Sequence, residues 1–196
     1  MKKGIVILIV VAVAAIGLVS WVKGIYNGIV NADESVQAAW SQVENVYQRR
    51  ADLIPNLVAT VKGYAAHESE TLESVVAARA KATQMTVDAE NLTPEALAKY
   101  QKAQGELGSA LGKLLMIQEN YPELKANENF RDLQSQLEGT ENRITVERQK
   151  FNETARAYNT MIRQFPENIF AGMFGFEKKP YFEADESAKT APKVEF

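Results

Sequence analysis

The hydrophobic pattern of the chain begins with an unbroken apolar run at residues 4–22, which has lysines on both sides. A helix of about 19 residues, rising roughly 1.5 Å per residue, is about as long as the hydrocarbon core of a bilayer is thick. The pattern predicts a single transmembrane helix, with residues 1–30 forming the membrane anchor and a short junction. The anchor positions expected in the bilayer or at its headgroups are Ile5, Val10, Leu18 and Trp21.

A cleaved signal peptide is the alternative interpretation of this run. Ala12-Val13-Ala14 has the small-x-small form of a cleavage site. Cleavage there would leave a second apolar stretch at the start of the mature chain, so a retained anchor is favoured. The chain has no cysteine that could carry a lipid or form a disulfide.

The lysines beside the apolar run predict its orientation. Lys2 and Lys3 precede the run, whereas only Lys23 lies close behind it. Positive residues favour the cytoplasmic side of a membrane. We therefore expect a cytoplasmic N-terminus and a domain on the outer face.

From Asn31 onward, apolar residues recur in steps of three and four, the spacing of a helix face that packs in a bundle or coiled coil. Asp33 can cap the start of this amphipathic helix. Pro55 removes one backbone hydrogen bond, the one to the carbonyl of Ala51. The apolar stripe consists of Val36, Trp40, Val43, Tyr47, Ile54, Leu57, Val61 and Tyr64. Its phase then slips at residues 68–71, which indicates a turn or a stutter.

Two further helices are expected after a polar connector. Thr93-Pro94-Glu95 joins a good N-cap to a proline at the first helical position, which predicts a helix start. A last helix should begin near Asn127 or Asn129 and end at Pro166. The fold class is therefore all-α, with residues 31–166 as an antiparallel up-and-down bundle. We favour four helices with a turn near His67–Ser69 over three, because one unbroken first helix would leave much apolar face unpaired.

Two features outside the bundle are candidates for contacts. Gly24 and Gly28 have the G-x-x-x-G spacing that lets another helix approach closely, although a flexible junction fits equally. Residues 167–196 join an aromatic stretch to a charged tail that we expect to be mobile. In a four-pass bundle this stretch lies at the base, where it can pack on its own bundle, contact another protomer or enter the membrane interface. The candidate residues are Phe170, Phe174 and Phe176.

One charged residue lies in phase with the apolar stripe. Arg50 falls between Tyr47 and Ile54, and Glu147 has a core-phase position on the last helix. We expect a buried Arg50–Glu147 ion pair that fixes helix register more than it adds stability. The alternative is that Arg50 extends its guanidinium to the edge of the bundle.

Charge and composition argue against several function classes. The chain has 22 Lys and Arg against 25 Asp and Glu, a net charge of −3, so nucleic-acid binding has no basic surface to use. His67 is the only histidine, and zinc binding would need more ligands than it offers. We expect a partly buried helical His67, no metal, no cofactor and no catalytic residues.

Several ordered motifs resemble those of the LemA family over nearly the whole chain. They include Ala39-Trp40-Ser41-Gln42-Val43, Arg49-Arg50-Ala51-Asp52-Leu53-Ile54-Pro55-Asn56-Leu57-Val58, Glu119-Asn120-Tyr121-Pro122-Glu123-Leu124-Lys125-Ala126-Asn127, Leu137-Glu138-Gly139-Thr140-Glu141-Asn142 and Ala171-Gly172-Met173-Phe174-Gly175-Phe176. The resemblance implies a single-pass bacterial membrane protein with a helical-bundle domain and no agreed activity. We expect a non-enzymatic scaffold of the inner membrane whose partners are the bilayer, further copies of itself and unidentified envelope proteins. The alternative is a sensor or regulator that binds a peptide or lipid in the bundle groove.

The orientation can be tested with one thiol, because the chain has no cysteine of its own. We expect Ser187→Cys to react with an impermeant maleimide in intact cells whose outer membrane has been permeabilised. Labelling that occurs only after lysis would place the domain in the cytoplasm.

Overall fold

The structure, a computed structural model, describes residues 2–90 and 92–183, and within them it is helical without a strand. The α-helices are α1 (Lys2–Tyr64), α2 (Ser69–Gln84), α3 (Pro94–Met116), α4 (Pro122–Ala126), α5 (Glu128–Met161) and α6 (Glu167–Phe174). A 3-10 turn at Ile117–Asn120 follows α3. The all-α prediction is confirmed.

The helix count differs from both predicted counts. Four helices are long, as favoured, but the described residues also contain the short α4 and α6. The predicted turn is present, since α1 ends at Tyr64 and α2 begins at Ser69. The slip in hydrophobic phase therefore marks a change of direction and not a stutter.

The apolar run and the first amphipathic helix form one continuous element. α1 runs without interruption through the junction and through Pro55. Among the described residues it is the one helix long and apolar enough to cross a membrane. Asp33 therefore lies inside α1 and caps nothing, which corrects the expected helix start at that residue.

The two predicted later helix starts are confirmed by their caps. Thr93 Oγ1 accepts a hydrogen bond from the Ala96 N–H at 3.1 Å, and Pro94 occupies the first helical position. Asn127 Oδ1 accepts from the Phe130 N–H at 2.9 Å at the start of α5. Each cap satisfies a backbone donor that would otherwise lack a partner in the first turn.

Contacts between side chains define how the helices run. Three α1 residues meet α5 partners in reverse order, so the two helices are antiparallel: Trp40 with Phe151, Arg50 with Glu141, and Tyr64 with Asn127. α3 runs along α1 in the same direction, because Trp40 meets Tyr100 and Arg50 meets Gln104. α2 returns against α1, with Arg79 bonded to Ala51 and the following Val87 to Trp40.

The core consists of two hydrophobic clusters separated by a polar layer. The cluster nearer the anchor is aromatic and includes Trp40, Tyr47, Tyr100, Phe151, Tyr158 and Phe182. The distal cluster is mostly aliphatic and includes Ile54, Leu57, Leu107, Leu114, Leu124 and Leu137. Arg50, Gln104 and Thr140 lie buried between them. We call these three residues and Glu141 the polar layer.

The chain beyond α6 packs on the helices, contrary to the expectation of a mobile tail. Gly175, with φ of 77°, ends α6 in the left-handed conformation that glycine adopts without strain. The chain then runs back along α5, and Phe182 is buried. We call residues 176–183 the strap. The remainder of the expected tail, residues 184–196, lies outside the described residues.

The proline in α1 generates a prediction about α2. Pro55 has no N–H, so the buried Ala51 carbonyl lacks its helical donor, and Arg79 Nε donates to it instead at 2.8 Å. We expect Arg79→Met to lower the free energy of unfolding by about 1–3 kcal/mol, because it leaves that carbonyl unsatisfied. In a Pro55→Ala background the loss should shrink, since Ala51 regains a backbone donor.

Chemical denaturation of the four proteins in detergent measures the interaction between the two substitutions. Arg49→Met is the matched control, because it removes an arginine whose side chain is exposed on α1, the helix that contains Pro55. An equal loss from Arg79→Met in both backgrounds would contradict this assignment.

Candidate functional site

Three places in the molecule bring functional side chains together: the polar layer, the groove that holds the strap, and the base where α6 meets α1. The polar layer centres on Arg50, whose side chain is 3% exposed. Its guanidinium donates to Glu141 Oε1 at 2.7 Å, and to the backbone oxygen and side-chain Oε1 of Gln104 at 3.0 and 2.6 Å. It also lies 5.1 Å from the centre of the Tyr47 ring. This residue thus ties α1 to α3 and α5.

The predicted partner of Arg50 is wrong. Glu147 bonds to Lys150 on its own helix at 2.8 Å, while Glu141 is the residue opposite Arg50. Glu141 is 47% exposed, so the arginine reaches from the core to the edge of the helices. The structure therefore combines elements of both expectations, a buried guanidinium and a carboxylate partner near solvent.

The strap is held by two asparagines of α5 in the manner of a bound peptide. Asn152 donates to the Phe182 carbonyl at 3.0 Å and accepts from the Phe182 N–H at 2.8 Å. Asn159 makes the same pair of hydrogen bonds with Lys179, both at 2.8 Å. Each side-chain amide thus satisfies the donor and the acceptor of one extended residue, as a neighbouring β-strand would.

An aromatic slot receives the side chain of Phe182. Its ring stacks on Trp40 with centroids 5.9 Å apart and meets the face of Phe151 edge-on at 5.5 Å. Trp40 Nε1 donates to the Val87 carbonyl at 3.3 Å, so its buried polar atom is satisfied. Arg148 lies over the outer face of the Phe182 ring at 4.8 Å. The slot joins α1, α5 and the connector before α3.

A buried ion pair fixes the other end of the strap to α1. Lys179 Nζ lies 2.9 Å from Asp33 Oδ1, and both side chains are largely buried. A cavity of about 410 Å³ beside this pair is lined by Tyr158, Leu92 and the strap. Burial, with smaller contributions from the charges of Asp33 and Glu177, raises the pKa of Tyr158 to about 12. The tyrosine is therefore protonated at neutral pH and offers a hydroxyl, not a charge.

At the base, the predicted aromatic residues pack on α1 of their own chain. Phe170 meets Trp21 edge-on, with ring centroids 5.9 Å apart. Phe174 and Phe176 meet Tyr26 at 4.9 and 5.8 Å. α6 therefore lies beside α1 where the apolar run ends.

The other anchor residues have no partner within the described chain. Ile5, Val10 and Leu18 are exposed, as expected of side chains that would face lipid. Gly24 and Gly28 have open space where a Cβ would lie, so no described helix uses the G-x-x-x-G spacing for a close approach.

The described residues show no constellation for metal binding, since no group of three or more His, Asp or Glu side chains is placed to hold an ion. His67 is exposed in the turn before α2, which corrects the expected half-buried helical position. Glu44, Tyr47 and Tyr100 line a cavity of about 170 Å³. Burial raises the pKa of Glu44, and burial raises the pKa of Tyr100 far above its usual value. That the protein is not an enzyme stays a prediction.

The fold and these sites define a class of protein: an all-helical domain continuous with an apolar N-terminal helix, consistent with a membrane protein. The chain belongs to the LemA family, whose model matches residues 39–196. It is 28% identical over 198 residues to magnetosome protein MamQ of Magnetospirillum gryphiswaldense, covering 89% of this chain and 71% of the relative. Protein LemA of Metamycoplasma hominis is 24% identical over 160 residues, covering 82% of this chain and 69% of the relative.

Sequence reasoning missed the strap and the true partner of Arg50. Asn152 and Asn159 are seven residues apart, two turns of one helix face, and polar residues at that spacing beside buried Phe151 and Tyr158 were the available signal. The strap carries three aromatic residues, but four charged residues and a proline lie among them, and they follow no helical or alternating spacing that would predict burial.

The polar layer predicts a specific pattern of stability changes. Arg50→Met should lower the free energy of unfolding by about 1–3 kcal/mol, because it leaves the Gln104 oxygens without their donor. Glu141→Gln should cost less than about 1 kcal/mol, since that carboxylate is near solvent. A double-mutant cycle should show coupling between these two residues. Glu147→Gln is the matched control, and coupling of Arg50 to Glu147 in place of Glu141 would contradict the observed register.

The strap predicts that its protection from solvent depends on the two asparagines. In Asn152→Ala/Asn159→Ala, we expect the backbone amides of Lys179 and Phe182 to lose their protection from hydrogen exchange, because their acceptors are gone. The helical core should keep its protection. Asn142→Ala/Asn168→Ala, at exposed positions, is the control, and an unchanged exchange rate in the first variant would show that the aromatic slot alone holds the strap.

Proposed function

We propose that this protein is a non-enzymatic, membrane-anchored helical scaffold that self-associates, or organises partner proteins, at the bacterial inner membrane. The observation that carries the proposal is the continuity of α1, which serves as both anchor and core helix. A single helix without a flexible joint transmits its position and tilt in the membrane directly to the domain. A domain held at a fixed position and tilt relative to the membrane is suited to binding other proteins in a fixed arrangement.

The proposed arrangement has a cytoplasmic N-terminus and the domain on the outer face, because the lysines beside the anchor favour that orientation. The bilayer is then the first partner. Relatives named as magnetosome proteins are compatible with a role in membrane organisation. The scaffold needs no cofactor, no metal and no nucleic acid.

Self-association has a surface available on the anchor. The apolar side chains of α1 before residue 20 are exposed around the helix, and Gly24 and Gly28 leave open space on one side of it. Small residues at this spacing let two helices pack closely in lipid, where van der Waals contact drives association. We infer that α1 of a second copy occupies this surface.

A sensor or regulator is the second candidate function, and the strap is the observation that favours it. The groove between α1 and α5 already binds an extended segment through backbone hydrogen bonds, an aromatic slot and an ion pair. A partner segment with similar chemistry could compete for this groove. Such a protein would respond to a ligand and would not require an oligomer.

The oligomeric state of the purified protein separates the two functions. We expect light scattering in detergent to give a defined oligomer for the full chain and a smaller species for residues 31–196. Gly24→Leu/Gly28→Leu should dissociate the full-length oligomer, since the side chains would hold the helices apart.

The matched control is Gly105→Leu/Gly112→Leu, which alters two glycines of α3 that also have open space around them. This control should leave the oligomer intact. A monomer for the unaltered full chain in both detergent and nanodiscs would contradict the scaffold. Binding of an added peptide with the strap sequence by a monomeric Lys179→Ala/Phe182→Ala variant, which weakens the chain's own strap and leaves Asn152 and Asn159 in the groove, would favour the sensor.

A further inference from the structure

α6 has two apolar faces, and the helices of its own chain cover only one. The covered face contributes Phe170 and the buried Ala171 to the contact with α1. The open side carries a row of exposed apolar side chains. Ile169 and Met173, four residues apart on α6, are 50% and 71% exposed, and Phe165, in the turn before α6, is 79% exposed. A helix of the domain surface would be expected to turn polar residues outward.

This exposed apolar row is concentrated in one place. Beyond the anchor, four of the large apolar side chains that the described residues expose lie within positions 165–174. The others are scattered singly along the chain, which is normal for a protein surface. A cluster of this kind marks a surface that is covered in the working protein.

The position of α6 along α1 identifies what covers it. The apolar run ends at Val22, and Trp21 is therefore at the border of the hydrocarbon core. Tyr26 lies five residues beyond Trp21, about 7.5 Å along the helix axis, within the roughly 5–8 Å depth of the headgroup layer. Because α6 contacts both aromatic residues, it lies at that depth too.

We propose that α6 is an interfacial helix that lies in the headgroup layer of the leaflet on the domain side, with Phe165, Ile169 and Met173 inserted among the lipids. This inference rests on the proposed membrane anchoring of α1. Burial of the open face removes roughly 25 cal/mol per Å² of apolar surface from water. The cover is lipid and not a second copy, because the row continues the apolar surface of the anchor itself.

Charge beside α6 indicates which lipids it requires. Arg163 and Lys178 balance Glu167 and Glu177, and the third basic residue nearby, Lys179, is paired with Asp33. Interfacial helices that depend on anionic lipids carry an excess of Lys and Arg. The apolar face therefore drives insertion, and neutral phosphatidylcholine suffices.

Single cysteines in the full chain test this depth, since the protein has no other thiol. Met173→Cys, Met116→Cys and Val10→Cys are each labelled with an environment-sensitive dye and placed in phosphatidylcholine nanodiscs with or without nitroxide lipids. Met116, also exposed at 64%, is the matched control at the far end of α3. Val10 lies in the anchor and reports insertion of α1.

We expect nitroxide lipids to quench the dye at Met173→Cys several-fold more than the dye at Met116→Cys, and to quench Val10→Cys as well. Quenching at Val10→Cys, with Met173→Cys no different from Met116→Cys, would overturn the interfacial position and leave the anchor standing. Failure at Val10→Cys would remove the anchoring and this inference together. A Met173→Cys signal that appears only with anionic lipid would contradict insertion driven by the apolar face.

Discussion

The continuity of α1 is the constraint on which the rest of the structure depends. One helix supplies the apolar run, the aromatic junction and the surface on which α2 and α5 pack, and its Trp40 and Arg50 reach α3. Because a helix without a break has a fixed rise and rotation per residue, the depth of each α1 side chain relative to the anchor is fixed as well. The partners of Trp40, Arg50 and Tyr64 are spaced along α5 by the same numbers of residues as these three are along α1. The position of each α5 residue along the α1 axis is therefore fixed too. The positions of the α5 residues are thereby set relative to the apolar run of α1.

The polar layer and the strap secure that arrangement in different ways. Hydrophobic clusters above and below Arg50 would tolerate a shift of one helix along another, since aliphatic contacts are not directional. A buried guanidinium with acceptors on two other helices has far fewer satisfactory positions, so it selects one register. The strap then closes the groove between α1 and α5 and connects back to Asp33 through Lys179. The strap is thereby tied both to α5 and to the segment of α1 around Asp33.

Local patterns in the sequence predicted the elements better than the pairings between them. Thr93-Pro94 and Asn127 are short-range signals whose physical effect lies within one turn, and both helix starts were correct. The phase slip before α2 marked a real turn because buried faces must be continuous. Helical phase alone pairs Arg50 with Glu147, but the observed partner is Glu141. The partner depends on how far α5 is shifted along α1, and no local sequence pattern contains that information. The sequence predicts Asp33 to be a helix cap. Its actual partner, Lys179, comes near it only when the strap binds to α5, and no local pattern around Asp33 indicates that contact.

The distance between the segment that follows α6 and the end of the apolar run of α1 tests this architecture most directly. Distances between spin labels in nanodiscs would be measured for Asn27→Cys/Lys178→Cys and for His67→Cys/Lys178→Cys in the full chain. The structure predicts a first distance of about two helix diameters, roughly 20 Å, because Lys178 is next to Lys179, which pairs with Asp33. The second distance should be on the order of 50 Å, the rise of the roughly 30 α1 residues between Asp33 and the turn that contains His67. A first distance equal to or longer than the second would contradict the return of the chain to the base of α1.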